Sequence, residues 1–219
     1  MSAGTADLFD RPAVAPSTEV LAIDALVLRG FALPTAPQLH AALQQVLAHS
    51  PWRRLNTPGG KPMAVETSNC GTAGWISDRR GYRYSATDPL TGQPWLELPV
   101  AVSQLAALAA AAGGFADFLA DACLINRYAI GAGMGLHQDR DEQDFTAPIV
   151  SISLGLPARF RFGGSQRSDP VRSVMLQHGD VVVWGGKSRL AFHGITPLRA
   201  GEHPLTGPYR INLTLRKAL

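Results

Sequence analysis

Two textures of apolar and polar positions divide this sequence. Leu39, Ala42, Leu43, Val46 and Leu47 recur at the i, i+3, i+4, i+7, i+8 spacing of one buried helical face. Pro34 and Thr35 open that helix. Pro51 closes it, because the residue before a proline is pushed out of the α region. A second, Ala-rich helix starts at Pro99, carries Leu105 and Leu108, and stops at Gly113-Gly114. After Phe118 the period shortens. Short β-like runs at 122–128, 149–154, 159–162, 171–177, 181–184, 190–193 and 209–216 are separated by turn signals such as Asp169-Pro170, His178-Gly179-Asp180 and Gly185-Gly186. Ahead of the first helix, 21–31 reads as a short strand ending at Gly30. The turn-rich stretch from Arg53 to Trp95 reads as short strands, at 63–67 for example, joined by long loops. Many short strands after a helical start predict an α+β, mainly β fold: a jelly roll buttressed by N-terminal helices.

At 219 residues the chain fits a loose leader over 1–18 and one domain over 19–219. Within it, 19–118 holds the helices and the long excursion, and 119–219 holds the β core. An excursion of that length inside a compact domain is more often functional than filler. The composition, 46% hydrophobic and 17% charged, suits a soluble, packed globule. A net charge of +3 permits nucleic-acid binding without arguing for it. Its distribution says more. Arg53, Arg54, Lys61, Arg79, Arg80 and Arg83 face only Glu66, Asp78 and Asp88 between 50 and 90, with Trp52, Trp75, Tyr82 and Tyr84 interleaved. Cations for phosphates and flat rings for bases are what a nucleic-acid surface needs, though a solvated loop with packing aromatics has the same composition. Cys70 and Cys123 form neither a disulfide framework nor a zinc pattern and read as packing residues. The N-terminus has no basic region followed by an apolar core, and the most apolar run, 100–112, is too short to span a bilayer. The expected setting is cytoplasmic and reducing, with no membrane partner.

The chemistry concentrates in Leu136-His-Gln-Asp-Arg-Asp-Glu142. His137 and Asp139 stand two apart, on one face of an extended strand. Alone, His-x-Asp is a common surface pattern. A second imidazole would complete the two-histidine, one-carboxylate set of non-haem iron oxygenases. His193 ends a β-like run and is the best third ligand. His40 and His49 lie on or near the first helix, His178 sits in a turn and His203 precedes Pro204. In the last strand, Ile211, Leu213 and Leu215 alternate with Arg210, Asn212, Thr214 and Arg216. That polar face belongs either to water or to the interior of a barrel. Inside, its arginine forks would suit a dicarboxylate. Asn126 and Tyr128 share one face of another strand and would add neutral hydrogen bonds. Metal ligands plus an arginine for a distal carboxylate are the requirements of an iron enzyme using 2-oxoglutarate.

These motifs resemble the AlkB family, the Fe(II)/2-oxoglutarate-dependent nucleic-acid dealkylases. The resemblance is carried by Ala122-Cys-Leu-Ile-Asn-Arg-Tyr128, the His137 segment, Ser151-Ile-Ser-Leu-Gly-Leu-Pro157, His178-Gly-Asp-Val-Val-Val-Trp-Gly-Gly186, Phe192-His-Gly-Ile195 and Arg210-Ile-Asn-Leu-Thr-Leu-Arg216. It extends to Thr57-Pro-Gly-Gly60 and Ser68-Asn-Cys-Gly71 with Trp75, covers about Asp7 to Arg216, and is close to the family's bacterial founding member. It implies a double-stranded β-helix with a nucleotide-recognition lid. His137, Asp139 and His193 would hold Fe(II), and Arg210 would pair with the distal carboxylate of 2-oxoglutarate. Asn126, Tyr128 and Asn212 would add hydrogen bonds, with Arg216 near the keto-acid end. Trp75 and His137 would sandwich a flipped base, Tyr82 would grip a phosphate, and Asp141 would face the exocyclic amine. Thr57, Met63, Arg140 and Arg167 would touch the strand.

The implied reaction is O2-dependent oxidative demethylation of N1-methyladenine and N3-methylcytosine in alkylated DNA, single strands preferred, and in RNA. It is coupled to conversion of 2-oxoglutarate to succinate and CO2, releases formaldehyde, and is carried out by a monomer. Thr67, Gly135, Arg140 and Ile130 depart from the family's Met, Ser, Lys and Pro. None removes a group needed for turnover; they bear on lesion preference and strand affinity. The rival readings are an oxygenase acting on RNA or a non-nucleic-acid substrate, a zinc hydrolase, and a non-catalytic jelly-roll binding module.

Overall fold

The computed structural model describes residues 17–219. The chain begins with a hairpin, β1 (Ser17–Ala22) and β2 (Ala25–Arg29), where the sequence predicts one strand over 21–31. Ala22 pairs with Ala25, so Ile23 and Asp24 form a two-residue turn. Asp24 takes a φ of 57°, a conformation that aspartate tolerates better than most residues. The expected leader lies outside the described residues except for Ser17 and Thr18, which open β1.

Helix α1 (Ala36–His49) follows a short 3-10 turn at Leu33–Thr35 and buries Leu39, Ala42, Leu43 and Val46. Helix α2 (Val100–Ala112) buries Val102, Leu105, Ala106, Ala109 and Ala110, while Leu108 turns to solvent. Between the helices run β3 (Glu66–Gly71), β4 (Gly74–Asp78) and β5 (Gly81–Ser85). The core continues with β6 (Ala122–Tyr128), β7 (Met134–His137), β8 (Ile149–Gly155), β9 (Ala158–Phe162) and β10 (Arg172–Leu176). It ends with β11 (Val181–Trp184), β12 (His193–Ile195) and β13 (Arg210–Arg216).

A seven-stranded sheet in the order β1-β2-β11-β8-β13-β6-β3 and a four-stranded sheet in the order β10-β9-β12-β7 form the jelly roll, and β4-β5 is a separate ribbon. The N-terminal part therefore supplies three strands to the larger sheet as well as the helices. Among the described residues no helix is long and apolar enough to cross a membrane.

Besides the hairpin, two strands differ from their sequence-based bounds by more than one residue at an end. The one expected at 63–67 lies at Glu66–Gly71, because Ser68 and Asn69, polar and buried, are satisfied by partners outside the strand. The Ser68 hydroxyl donates to the Ser50 carbonyl at 2.5 Å, and the Asn69 amide brackets the Trp75 backbone at 3.0 Å on each side. The run 190–193 becomes a strand only at its last residue. Ala191 instead closes a turn by donating its N–H to the Ser188 carbonyl at 2.9 Å.

β13 explains how the layers stack. Ile211, Leu213 and Leu215 share a core cluster with α1 and α2, while Arg210, Asn212, Thr214 and Arg216 line a cavity on the opposite face. All seven residues are buried, so the polar face does not meet bulk water.

At one end of the sandwich, His178 packs against His203 at 4.4 Å between centroids, the rings tilted by 44°, and accepts the Gly155 N–H on Nδ1 at 3.1 Å. Burial, aided by His203 and opposed by Asp180, lowers the His178 pKa from 6.5 to about 4. The unfolded chain therefore takes up this proton first, and the stability held above pH 6.5 is lost as pH falls towards 4. Because the ring is only half-buried, solvent screening limits the effect to about 1–2 kcal/mol. His178→Asn keeps an acceptor but cannot titrate in this range. Its melting temperature is expected to fall less than the parent's between these pH values, as measured by calorimetry.

Candidate active site

Strand pairing builds the metal-binding corner. β7 ends at His137, and the β7–β12 register sets it opposite His193. The two rings lie 4.4 Å apart. Asp139 falls just beyond the strand, so the i, i+2 alternation does not place it. Its carboxylate oxygens reach to 3.6 Å from His137 Nε2 and 3.7 Å from His193 Nε2. Each imidazole pairs Nδ1 with a backbone carbonyl, Gly135 at 2.9 Å and Ala191 at 3.0 Å. Those bonds fix the proton on Nδ1 and leave Nε2 lone pairs facing the carboxylate. Burial lowers the His193 pKa to about 4, only partly offset by Asp139, so the ring is neutral at pH 7. Burial also opposes ionisation of Asp139, but Arg216 and the two histidines outweigh it and hold the carboxyl well below its usual range. The three donor atoms lie within 4.8 Å of one another. Two imidazoles and one carboxylate at this separation fit a divalent transition metal.

Behind the donors is a buried charge cluster. Arg216 donates through Nε and Nη2 to Asp139 Oδ2 at 3.1 and 2.6 Å, and its Nε lies 3.1 Å from Glu142 Oε1. Arg189 Nη2 donates to Glu142 Oε2 at 3.1 Å and Nη1 to the Asp139 carbonyl at 2.8 Å. The Tyr84 hydroxyl, from β5, donates to Glu142 Oε1 at 2.9 Å. Two carboxylates meet two guanidiniums, so the cluster is neutral overall. Burial drives the Tyr84 pKa upward, and the phenol remains a donor.

The polar face of β13 continues away from the metal corner. Arg210, 2% exposed, donates Nη2 to Ser153 Oγ at 3.0 Å, and its guanidinium carbon sits 5.0 Å from the Tyr128 ring centroid. Its Nε and Nη1 are buried with no hydrogen-bond partner. A buried cation with two empty donors is costly unless an anion completes it, and a planar fork fits a carboxylate. Asn212 donates to Ser151 Oγ at 2.8 Å and accepts from Thr214 Oγ1 at 2.9 Å. Asn126 and Tyr128, from the neighbouring β6, line the same space. This organic-acid corner and the three metal donors share one cavity of about 890 Å³.

The β4–β5 ribbon covers the mouth. Trp75 stacks on Tyr82 with centroids 5.3 Å apart and planes at 14°. The Trp75 indole N–H donates to Asp141 Oδ2 at 2.8 Å. Thr57, Met63, Arg140 and Arg167 line the mouth, and buried Thr67 forms part of the wall. Every residue singled out as a site candidate in the sequence thus faces this cavity, where Gly135 also lies, whereas Ile130 does not line it. Glu142, Ser151 and Ser153 stand in quoted motifs without an assigned role, Tyr84 reads only as one of the interleaved aromatics, and Arg189 carries no signal. Arg189 reads as one more surface cation after Lys187-Ser188, and only the tertiary structure shows it to be 3% exposed.

Arg210→Lys keeps the charge but loses the fork, and is expected to raise the KM for the organic-acid co-substrate about tenfold or more in steady-state assays. Glu142→Gln leaves the buried cluster one charge out of balance and is expected to cost about 3–5 kcal/mol in urea unfolding. Tyr84→Phe, which removes one hydrogen bond, costs about 1 kcal/mol.

Comparison with known proteins matches this geometry. The sequence profile of the 2OG-Fe(II) oxygenase superfamily covers residues 24–216. The alpha-ketoglutarate-dependent dioxygenase AlkB of Salmonella typhimurium is 55% identical over 204 residues, 93% of this chain and 94% of the relative. The Escherichia coli AlkB is 55% identical over 203 residues with the same coverage. The solved structure of OsALKBH1 superposes with a TM-score of 0.78 at 26% identity, over 92% of this chain and 100% of the other. The chain belongs to the 2OG-Fe(II) oxygenase superfamily and, within it, to the AlkB family of dioxygenases that use Fe(II), 2-oxoglutarate and O2.

Proposed function

We propose that this enzyme repairs alkylated nucleic acid by oxidative demethylation, with His137, Asp139 and His193 as iron ligands. The observation that carries the reading is the pair of unpartnered donors on Arg210, a residue that lines the same cavity as the His–Asp–His cluster. They call for a carboxylate-bearing co-substrate, which neither a zinc hydrolase nor a non-catalytic module requires. The names of relatives point to the polymer. An Arabidopsis thaliana relative is a DNA N(6)-methyladenine demethylase, and human ALKBH1 is a nucleic acid dioxygenase.

Iron held there together with 2-oxoglutarate would let O2 act as the oxidant, the N-methyl group leaving as formaldehyde and 2-oxoglutarate as succinate and CO2. The protein's part is orientation. The Arg210 fork fixes the distal carboxylate, Tyr128, Asn126 and Asn212 add neutral contacts, and Arg216 keeps Asp139 ionised and aimed. A base enters between Trp75 and His137. Trp75 is suited to this role because Asn69 clamps its backbone and Asp141 holds its indole. N1-methyladenine and N3-methylcytosine are cationic, and Asp141 matches that charge at the mouth. Tyr82, Thr57, Met63, Arg140 and Arg167 attend the strand. The base must leave its stack, which costs least in single strands, so single-stranded DNA is the preferred substrate. We take 19–219 as one catalytic unit that works as a cytoplasmic monomer.

Iron-loaded protein with 2-oxoglutarate is expected to release succinate and formaldehyde in step from a methylated single-stranded oligonucleotide, and His137→Ala to reduce both to background. No succinate from any methylated DNA or matched RNA would refute the repair reading. Asp141→Ala is expected to slow demethylation about tenfold or more, since a charge-assisted contact is lost, while uncoupled 2-oxoglutarate turnover holds. Equal loss of both activities would remove Asp141 from lesion recognition.

A further inference from the structure

The four-stranded sheet has a second face that the cavity does not use. On β9, Phe160 and Phe162 point inward and are buried, so Arg159 and Arg161 point outward; the first is exposed and the second half-buried. Their cross-strand neighbours on that face are neutral: Met175 and Ser173 on β10, and Gly194 on β12. Arg140, Arg159, Arg161 and Arg167 are absent from every ion pair among the described residues. By contrast Arg172, on the adjacent β10, is paired with Glu19. The nearest acid in the following loop, Asp169, already accepts the Gln166 N–H at 2.9 Å.

The ground between these arginines and the cavity mouth is bare backbone. A Cβ at Gly194 would come within 2.6 Å of the Met134 carbonyl, so no side chain can rise there. Gly135, exposed on β7, has open space where a Cβ would stand. The loop leaving β9 carries Arg167 to the mouth, where its Nη2 donates to the Leu136 carbonyl at 3.1 Å and Arg140 stands nearby on the rim. Cations outside any ion pair thus run from the outer sheet face to the rim, with no side chain at buried Gly194 and open space at exposed Gly135 between them.

We propose that the outer face of β9, through Arg159 and Arg161, holds phosphates of the strand complementary to the one that delivers the damaged base. The proposal rests on the nucleic-acid reading above and extends it to duplex substrates. Charge complementarity and continuity with the mouth identify the occupant as a polyanion. The side-chain direction identifies which strand. These two arginines project away from the cavity, so the nucleotide whose base is inside cannot also reach them.

The test compares a methylated duplex with the same methylated single strand, using fluorescence anisotropy across a salt series and anaerobic enzyme loaded with iron and 2-oxoglutarate. In R159A/R161A, duplex affinity is expected to fall about tenfold, and the slope of log K against log salt to flatten by about 2, one unit per lost phosphate contact. Single-strand affinity and single-strand turnover are expected to stay within about twofold, which also reports that the variant is folded. Unchanged duplex binding would overturn the proposal. So would an equal loss on both substrates, which would place these arginines on the same strand further along. If the unaltered enzyme neither binds nor processes the single strand, the nucleic-acid reading falls and takes this one with it. Normal single-strand processing with unchanged duplex binding in the variant removes the complementary-strand track alone.

Discussion

The contact on which the active site depends is the one between Arg216 and Asp139. A carboxylate enclosed beside His137 and His193 is unfavourable as an ion, and burial alone would protonate it. Arg216 reverses that balance at 2.6 Å and orients Asp139 towards both rings. Arg216 is itself buried and needs its own partners, which is why Glu142 is there. Glu142 in turn holds Arg189 and Tyr84. The cluster works because its charges cancel and each member is fixed by the others. Removing one member leaves a buried charge uncompensated, whereas a surface pair would lose little.

That cluster also joins parts of the chain that are otherwise separate. Tyr84 belongs to the ribbon over the mouth, Asp139 and Glu142 follow β7, Arg189 precedes β12, and Arg216 closes β13. The His–Asp–His corner and the ribbon over the mouth are therefore tied to one cluster. Displacement of the ribbon is felt at Glu142, one contact away from the guanidinium that holds the metal-site carboxylate. The second tie, between Trp75 and Asp141, connects the ribbon to the same short segment.

β13 solves a packing problem as well as a chemical one. Its apolar residues anchor the helical layer and its polar residues furnish the cavity, so one strand transmits the rigidity of the core directly to Arg210 and Arg216. A functional group on a fully buried central strand is held more tightly than one on a loop. The cost is the buried, half-satisfied Arg210, a local conflict with stability of the kind expected where a ligand is to bind.

The sequence by itself determined what is local or periodic. Helical spacing marked α1, period-2 alternation marked β13 and β6, and the residue types at 137, 139, 193 and 210 specified the donor chemistry. Alternation also showed that β13 has two unlike faces. Only the tertiary structure decided that its polar face is sealed inside, because the same pattern serves a strand beside water. Pairing of β7 with β12 joined His137 to His193, and no local preference encodes that register. β3 was misplaced because its buried residues are polar and satisfied by distant partners. Glu142 and Arg189 were invisible for the same reason: a charged side chain looks solvated until the fold supplies its counter-ion. Local pattern follows from backbone geometry, which each segment carries with it, whereas burial, register and charge compensation exist only between segments and appear when the chain closes on itself.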